Sequence, residues 1–121
     1  MLRAISLPPE HATLIATGGL HSFTKSWRTP YRRLLAIHST DAPADLPGRV
    51  IVAVAEIDAV ADLRDDRWPI SAAERRTLDR VEGEHGRWLY VLRDVRRIDP
   101  PVPCTGSGSG AWQVPDVVEA L

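Results

Sequence analysis

The sequence predicts an α+β fold, mainly β, with five strands and two principal helices in a single domain over residues 1–121. Three observations predict it. Apolar runs rich in β-branched or aromatic residues recur at Leu34–Ile37, Val50–Ile57 and Trp88–Leu92, and short runs of this kind bounded by turn residues are strands. Only two segments carry helix punctuation: Pro8-Pro9 followed by Gly18-Gly19, and Ser71 three residues ahead of Glu74. A chain of 121 residues is long enough for one hydrophobic core and not for two.

The first strand is Leu2–Leu7. Pro8-Pro9 then suits the first turn of a helix, where a missing N–H does no harm. That helix runs to about Thr17 and stops at Gly18-Gly19, because glycine takes a left-handed C-cap without penalty. Ser22–Trp27 and Arg33–Ser39 are the second and third strands. The polar, turn-rich stretch 40–48 leads into Arg49–Leu63, one long strand or a strand with a bend. Ser71 and Glu74 form a capping box that opens a helix over 71–81, with Arg75, Arg76, Asp79 and Arg80 mostly solvated. Gly86 breaks this stretch, and Arg87–Ile98 is a long strand. The segment 100–115 is too rich in proline and glycine to be helical. No internal repeat or heptad pattern occurs.

Composition excludes several classes. No apolar run approaches the roughly 18 residues of a membrane span, and the N-terminus lacks a signal-peptide pattern. Cys104 is alone, so no internal disulfide forms, and a reducing cytoplasm is the expected location. Net charge is −1, which does not advertise a nucleic-acid binder, but the charges are unevenly placed. Lys25, Arg28, Arg32 and Arg33 have no acid among them, and Arg87, Arg93, Arg96 and Arg97 face only Asp94. Residues 41–66, by contrast, hold seven acids against Arg49 and Arg64. Genomic base composition explains a preference for arginine over lysine but not this clustering. If folding joins the two basic segments, the molecule has a positive and a negative face.

Between Ala12 and Ser39 the order of motifs resembles the ASCH family, small β-barrels related to the PUA RNA-binding domains. The family hallmark is Gly-x-Lys-x-x-Glu-x-Arg, then Ser-Trp, Tyr-Arg-Gly and a strand ending Ile-His. Gly18, Ser26-Trp27, Tyr31-Arg32 and Ile37-His38 match it. Aligned on Gly18, the family Lys falls on Leu20, the Glu on Phe23, the Arg on Lys25, and the later Gly on Arg33. The resemblance extends from about Leu2 to Val114 and implies a PUA-like barrel of five to six strands with two principal helices. Its sixth strand would come from the Gly-x-Trp ending at Trp112. Some relatives are amidohydrolases or ribonucleases whose activity leans on the signature Lys and Glu or Thr. Leu20 and Phe23 cannot supply that chemistry, so no catalytic residue is expected.

The resemblance and the basic-aromatic segment together point to a nucleic-acid-binding module, with RNA or a single strand as partner. Lys25, Arg28, Arg32 and Arg33 would meet phosphates, and Trp27 or Tyr31 a base. Alternatively these rings anchor the barrel and the arginines are merely solvated. Leu20, Phe23, His38, Tyr90 and Trp112 are expected to line the cleft. Trp88 and Tyr90 alternate on a strand and so share a face, which is either the core, the commoner case, or the binding surface. His38 reads as a structural histidine rather than a general base. His11, His21, His85 and Cys104 lack metal-ligand spacing, so neither metal nor cofactor is expected. Gly106–Gly110 lacks the Lys-Ser/Thr ending of a phosphate loop and reads as a flexible turn. Two other functions remain open: an interaction or regulatory domain without a nucleic-acid role, and a nucleoside amidohydrolase or ribonuclease.

Overall fold

In a computed structural model, residues 3–40 and 48–104 are described in full and residues 112–113 as backbone. The strands are β1 (Arg3–Leu7), β2 (Ser22–Lys25), β3 (Leu34–Ser39), β4 (Val50–Asp62), β5 (Trp88–Pro103) and β6 (Trp112–Gln113). The helices are α1 (Pro9–Thr17) and α2 (Ala72–Glu82), and a single 3₁₀ turn covers Leu63–Asp65. Positions 41–47 of the polar connection and 105–111 of the glycine-rich segment lie outside the described residues.

Local chemistry explains the helix ends. Pro9 occupies the first turn of α1, and Gly18 ends it at φ 88°, a left-handed conformation suited to glycine. Ser71 Oγ accepts from the Glu74 amide at 3.0 Å, capping α2. The Glu74 carboxylate does not complete a capping box. It accepts instead from the His21 amide at 2.7 Å and the Ser22 hydroxyl at 2.5 Å, reaching across to the sheet.

The strands form one sheet in the order β2-β5-β4-β3-β1-β6. Only β1 and β3 run parallel; the other neighbours are antiparallel. The expected bend in the fourth strand is present as three register shifts along β4 and β5, and such bulges bend and twist a strand pair. Pro100 and Pro101 fall in one of these gaps, between the Ala53–Arg97 and Ile51–Val102 pairs. Their missing N–H groups therefore break no ladder bond, which lets β5 run past the expected end at Ile98. Helix α1 packs over β3, β4 and β5. The core between them includes Ile5, Leu7, Ile15, Leu20, Phe23, Leu35, Ile37, Leu89 and Tyr90.

Two further expectations need correction. The sheet is not closed into a barrel: β2 and β6 are its two edges among the described residues. A physical reason lies along β2, where the Thr24 amide, and the His21 amide just before the strand, are taken by carboxylates of α2 rather than by another strand. The helix thus covers the edge that closure would have used. The second strand also stops at Lys25, two residues early, where it pairs with Trp88, the first residue of β5, and Gly86 lies close against it. A Cβ on Gly86 would lie 2.3 Å from the Lys25 carbonyl carbon.

Candidate nucleic-acid interface

Beyond β2 the chain turns into a loop, 26–33, fastened from beneath by Tyr90. The Tyr90 ring is fully buried, stacked on Phe23 at 4.9 Å between centroids and tilted against Trp27 at 5.6 Å. Its hydroxyl donates to the Trp27 carbonyl at 2.9 Å and accepts from the Thr29 amide at 3.1 Å. Burial raises the pKa of this phenol, against the Thr29 hydrogen bond and the charges of Arg32 and Arg28. The hydroxyl stays neutral and holds the loop.

Within the loop, the Tyr31 amide donates to Thr29 Oγ1 at 3.2 Å, and the Tyr31 hydroxyl donates to the Leu34 carbonyl. One Arg32 Nη donates to the Tyr31 carbonyl at 2.8 Å and to the Thr29 carbonyl. These bonds occupy the loop's own polar groups, and Arg28, Arg32 and Arg33 are exposed. Arg3 joins them from β1, its guanidinium carbon 5.9 Å from the Tyr31 ring centroid. Arg3, Pro30, Tyr31, Arg32 and Arg33 line an open depression of about 510 Å³. Among the described residues, no acid lies within 4 Å of the charged groups of Arg3, Arg28, Arg32 or Arg33.

A second aromatic position adjoins the loop. Lys25 pairs with Trp88 in the β2–β5 ladder. The Trp88 ring has the Arg28 guanidinium 5.5 Å and the Arg87 guanidinium 4.6 Å from its centroid. Arg87 is already paired with Asp62, through bonds of 3.1 and 2.8 Å. The two basic segments meet here, through Arg28 and Arg87 on the Trp88 ring. Arg93 lies among Glu56, Asp58 and Asp94, and Arg97 flanks α1 beside Thr13 and Ala16.

The remaining sequence-predicted residues fall elsewhere. Leu20 and Phe23 are fully buried in the core, not at a cleft. Burying each stabilises the fold by roughly 1.5–3 kcal/mol, so apolar residues at these positions go inward. Tyr90 is likewise core. Lys25 is half-buried and donates to the Ser6 carbonyl at 3.0 Å; burial lowers its pKa against the opposing pull of Glu82. His38 is buried, with Nδ1 at 2.9 Å from Ser6 Oγ and Nε2 at 2.6 Å from the Cys104 carbonyl. A carbonyl only accepts, so in the neutral ring Nε2 bears the proton and Nδ1 accepts from Ser6. Trp27 is half-buried against the core. Trp112 pairs with Ala4 through β6, and its side chain lies outside the described residues, as do the glycines 106–110.

Sequence reading missed a polar cluster beneath α2. The Glu82 carboxylate accepts from the Thr24 amide at 2.8 Å, the Thr24 hydroxyl at 2.6 Å and His85 Nδ1 at 2.7 Å. His85 Nε2 lies 2.6 Å from Asp79, and His11 Nδ1 lies 3.9 Å from Glu82. Burial alone would lower the His85 pKa, but the hydrogen bonds and charges of Glu82 and Asp79 outweigh it and raise it. Burial lowers the His11 pKa, opposed by its bond to the Ser22 carbonyl and by Glu82. A signal was present: Glu74, Leu78 and Glu82 at i, i+4 and i+8 share one helix face. Among the described residues, no group of three or more His, Cys, Asp or Glu is arranged to hold a metal, and no helix is long and apolar enough to cross a membrane.

No family model matches the sequence, and no curated protein matches it. Solved structures do. The crystal structure of ASCH from Zymomonas mobilis superposes with a TM-score of 0.61 at 22% identity, over 84% of this chain and 73% of that one. Two mutant forms of the same protein give TM-scores of 0.56 and 0.55 at 23% and 21% identity, over 84% of this chain and 75% and 73% of theirs. Likeness at this identity is likeness of fold, and the fold of this chain is that of the ASCH structures.

Proposed function

We propose that this chain is a small nucleic-acid-binding protein that takes single-stranded RNA on the face formed by Arg3 and the loop 26–33. One observation carries the reading: the guanidinium-bearing residues Arg3, Arg32 and Arg33 line one depression beside Tyr31, with no neighbouring acid among the described residues. Unneutralised cations gathered against an aromatic ring match what a strand offers, phosphates and unstacked bases. Arg28 beside Trp88 extends the face by a further cation and a further ring. The ASCH fold supports the same reading through the kinship with RNA-binding PUA domains that the sequence resemblance implies. Binding rather than catalysis is proposed, because Leu20 and Phe23 are core residues with no acid, base or nucleophile to offer. The single cysteine fits a reducing, cytoplasmic setting.

The test is fluorescence anisotropy with labelled single-stranded RNA, single-stranded DNA and duplex across a salt series. Single-stranded RNA is expected to bind, with affinity falling as salt rises. No binding to any of the three at low salt would favour a domain that retains the fold for protein contacts.

A further inference from the structure

We propose that the depression lined by Arg3, Pro30, Tyr31, Arg32 and Arg33 receives the phosphorylated end of a strand, a terminal phosphomonoester rather than an internal phosphodiester. The inference rests on the nucleic-acid reading above and assigns the depression a particular part of the strand.

Charge is the first argument. An internal diester carries one negative charge, whereas a terminal monoester at neutral pH carries close to two and presents three acceptor oxygens. Three arginines line a single depression, and none has an acidic neighbour within 4 Å among the described residues. One diester would leave most of that positive charge unanswered. A monoester suits it better.

Pre-organisation is the second. Arg32 has one Nη held by the Tyr31 and Thr29 carbonyls, so its fork is fixed while its remaining donors have no partner among the described residues. Arg3 is half-buried and held beside the Tyr31 ring. A planar guanidinium with a fixed fork is suited to bidentate recognition of phosphate oxygens.

Size is the third. About 510 Å³ falls within the roughly 300–1,000 Å³ of small-ligand sites, which leaves room for one terminal nucleotide. Pro30 and the Tyr31 ring supply the apolar wall on which the terminal sugar and base rest. Arg28, outside the depression beside Trp88, is left for the next phosphate along.

The experiment uses one RNA sequence in three forms: 5′-phosphorylated, 3′-phosphorylated, and with hydroxyls at both ends. Anisotropy is read at pH 7.5 and at pH 5.5. One phosphorylated form is expected to bind about tenfold tighter than the hydroxyl form at pH 7.5, the effect of one added charge-assisted hydrogen bond; which form does so identifies the end. That advantage should shrink at pH 5.5, since the monoester's second ionisation lies near 6 while arginine keeps its charge. Arg33→Ala and Arg3→Ala should each remove the preference with circular dichroism unchanged. Arg76→Ala, exposed on α2, should leave it intact. Equal binding of all three forms overturns the inference and leaves the nucleic-acid reading standing. Binding of none overturns both.

Discussion

The Lys25 ammonium donates a 3.0 Å hydrogen bond to the carbonyl oxygen of Ser6. The two residues sit on β2 and β1, which three strands separate in the sheet order. A side chain thus links the β2 edge to β1, beyond Arg3 and Ala4 where β6 pairs with that strand. Burial lowers the Lys25 pKa and only the charge of Glu82 opposes this, so the ammonium is held where water serves it poorly. Its hydrogen bond is made to the protein's own backbone. This separates Lys25 from the arginines that follow it, although in sequence all four look like one basic cluster.

Lys25→Met is therefore expected to leave the salt dependence of RNA binding unchanged. The loss of stability should be small, about 1 kcal/mol, because the lost hydrogen bond is partly offset by relief of a buried charge. Arg28→Ala and Arg32→Ala should behave differently. With three or four phosphate contacts the log–log salt slope is roughly −2 to −3 on a single strand, and each lost contact makes it shallower by about 0.7. A Lys25→Met slope as shallow as that of Arg32→Ala would show that the ammonium leaves Ser6 to meet phosphate.

Tyr31 and Trp27 should separate by their burial partners. Tyr31 lines the depression, packs at the margin of the core and donates its hydroxyl to the Leu34 carbonyl of β3. Tyr31→Ala is therefore expected to weaken binding by about 1–3 kcal/mol and to lower the melting temperature less than Trp27→Ala, whose ring also packs on Tyr90. Trp27 packs on Tyr90 and the core, so Trp27→Ala should lower stability and binding together. Thermal melts and anisotropy on the same preparations distinguish the two.

Tyr90→Phe removes only the hydroxyl that joins Trp27 and Thr29. The variant leaves the Thr29 amide and the Trp27 carbonyl without this partner, at a cost of about 1–3 kcal/mol. Binding should weaken although Tyr90 touches no ligand, because the loop carrying Arg28, Arg32 and Arg33 loses its anchor. Unchanged affinity in a destabilised Tyr90→Phe protein would show that the loop holds its shape unaided.

Both helices and five strands were legible because each carries its own local signal. Pro9 and Gly18 bound α1, Ser71 caps α2, and apolar runs mark β3, β4 and β5. Closure of the sheet was not legible, since it turns on whether β2 meets a strand or the carboxylates of Glu74 and Glu82 some fifty residues away. The site was half legible for the same reason. Arg28, Arg32, Arg33 and Tyr31 are neighbours in sequence and stay together, whereas Arg3 arrives from β1 and no local pattern announces it. Leu20 and Phe23 were misplaced because family alignment assigns a position, while burial is decided by what the residue is.

The two histidines around Glu82 make opposite pH dependences of stability. His85 has a folded pKa raised above its ordinary value of 6.5, so its contribution is complete below 6.5 and is lost as pH rises through the raised value. His11 has a folded pKa lowered below 6.5; its contribution is present above 6.5 and is lost as pH falls through the lowered value. His85→Gln should therefore differ most from the parent protein at pH 6 and below, with the gap narrowing on the alkaline side. His11→Gln should show the reverse, its gap from the parent widest above neutrality. Urea midpoints measured from pH 5 to pH 9 read both gaps directly. A gap for His85→Gln that widens with pH would mean that the ring is neutral between Asp79 and Glu82.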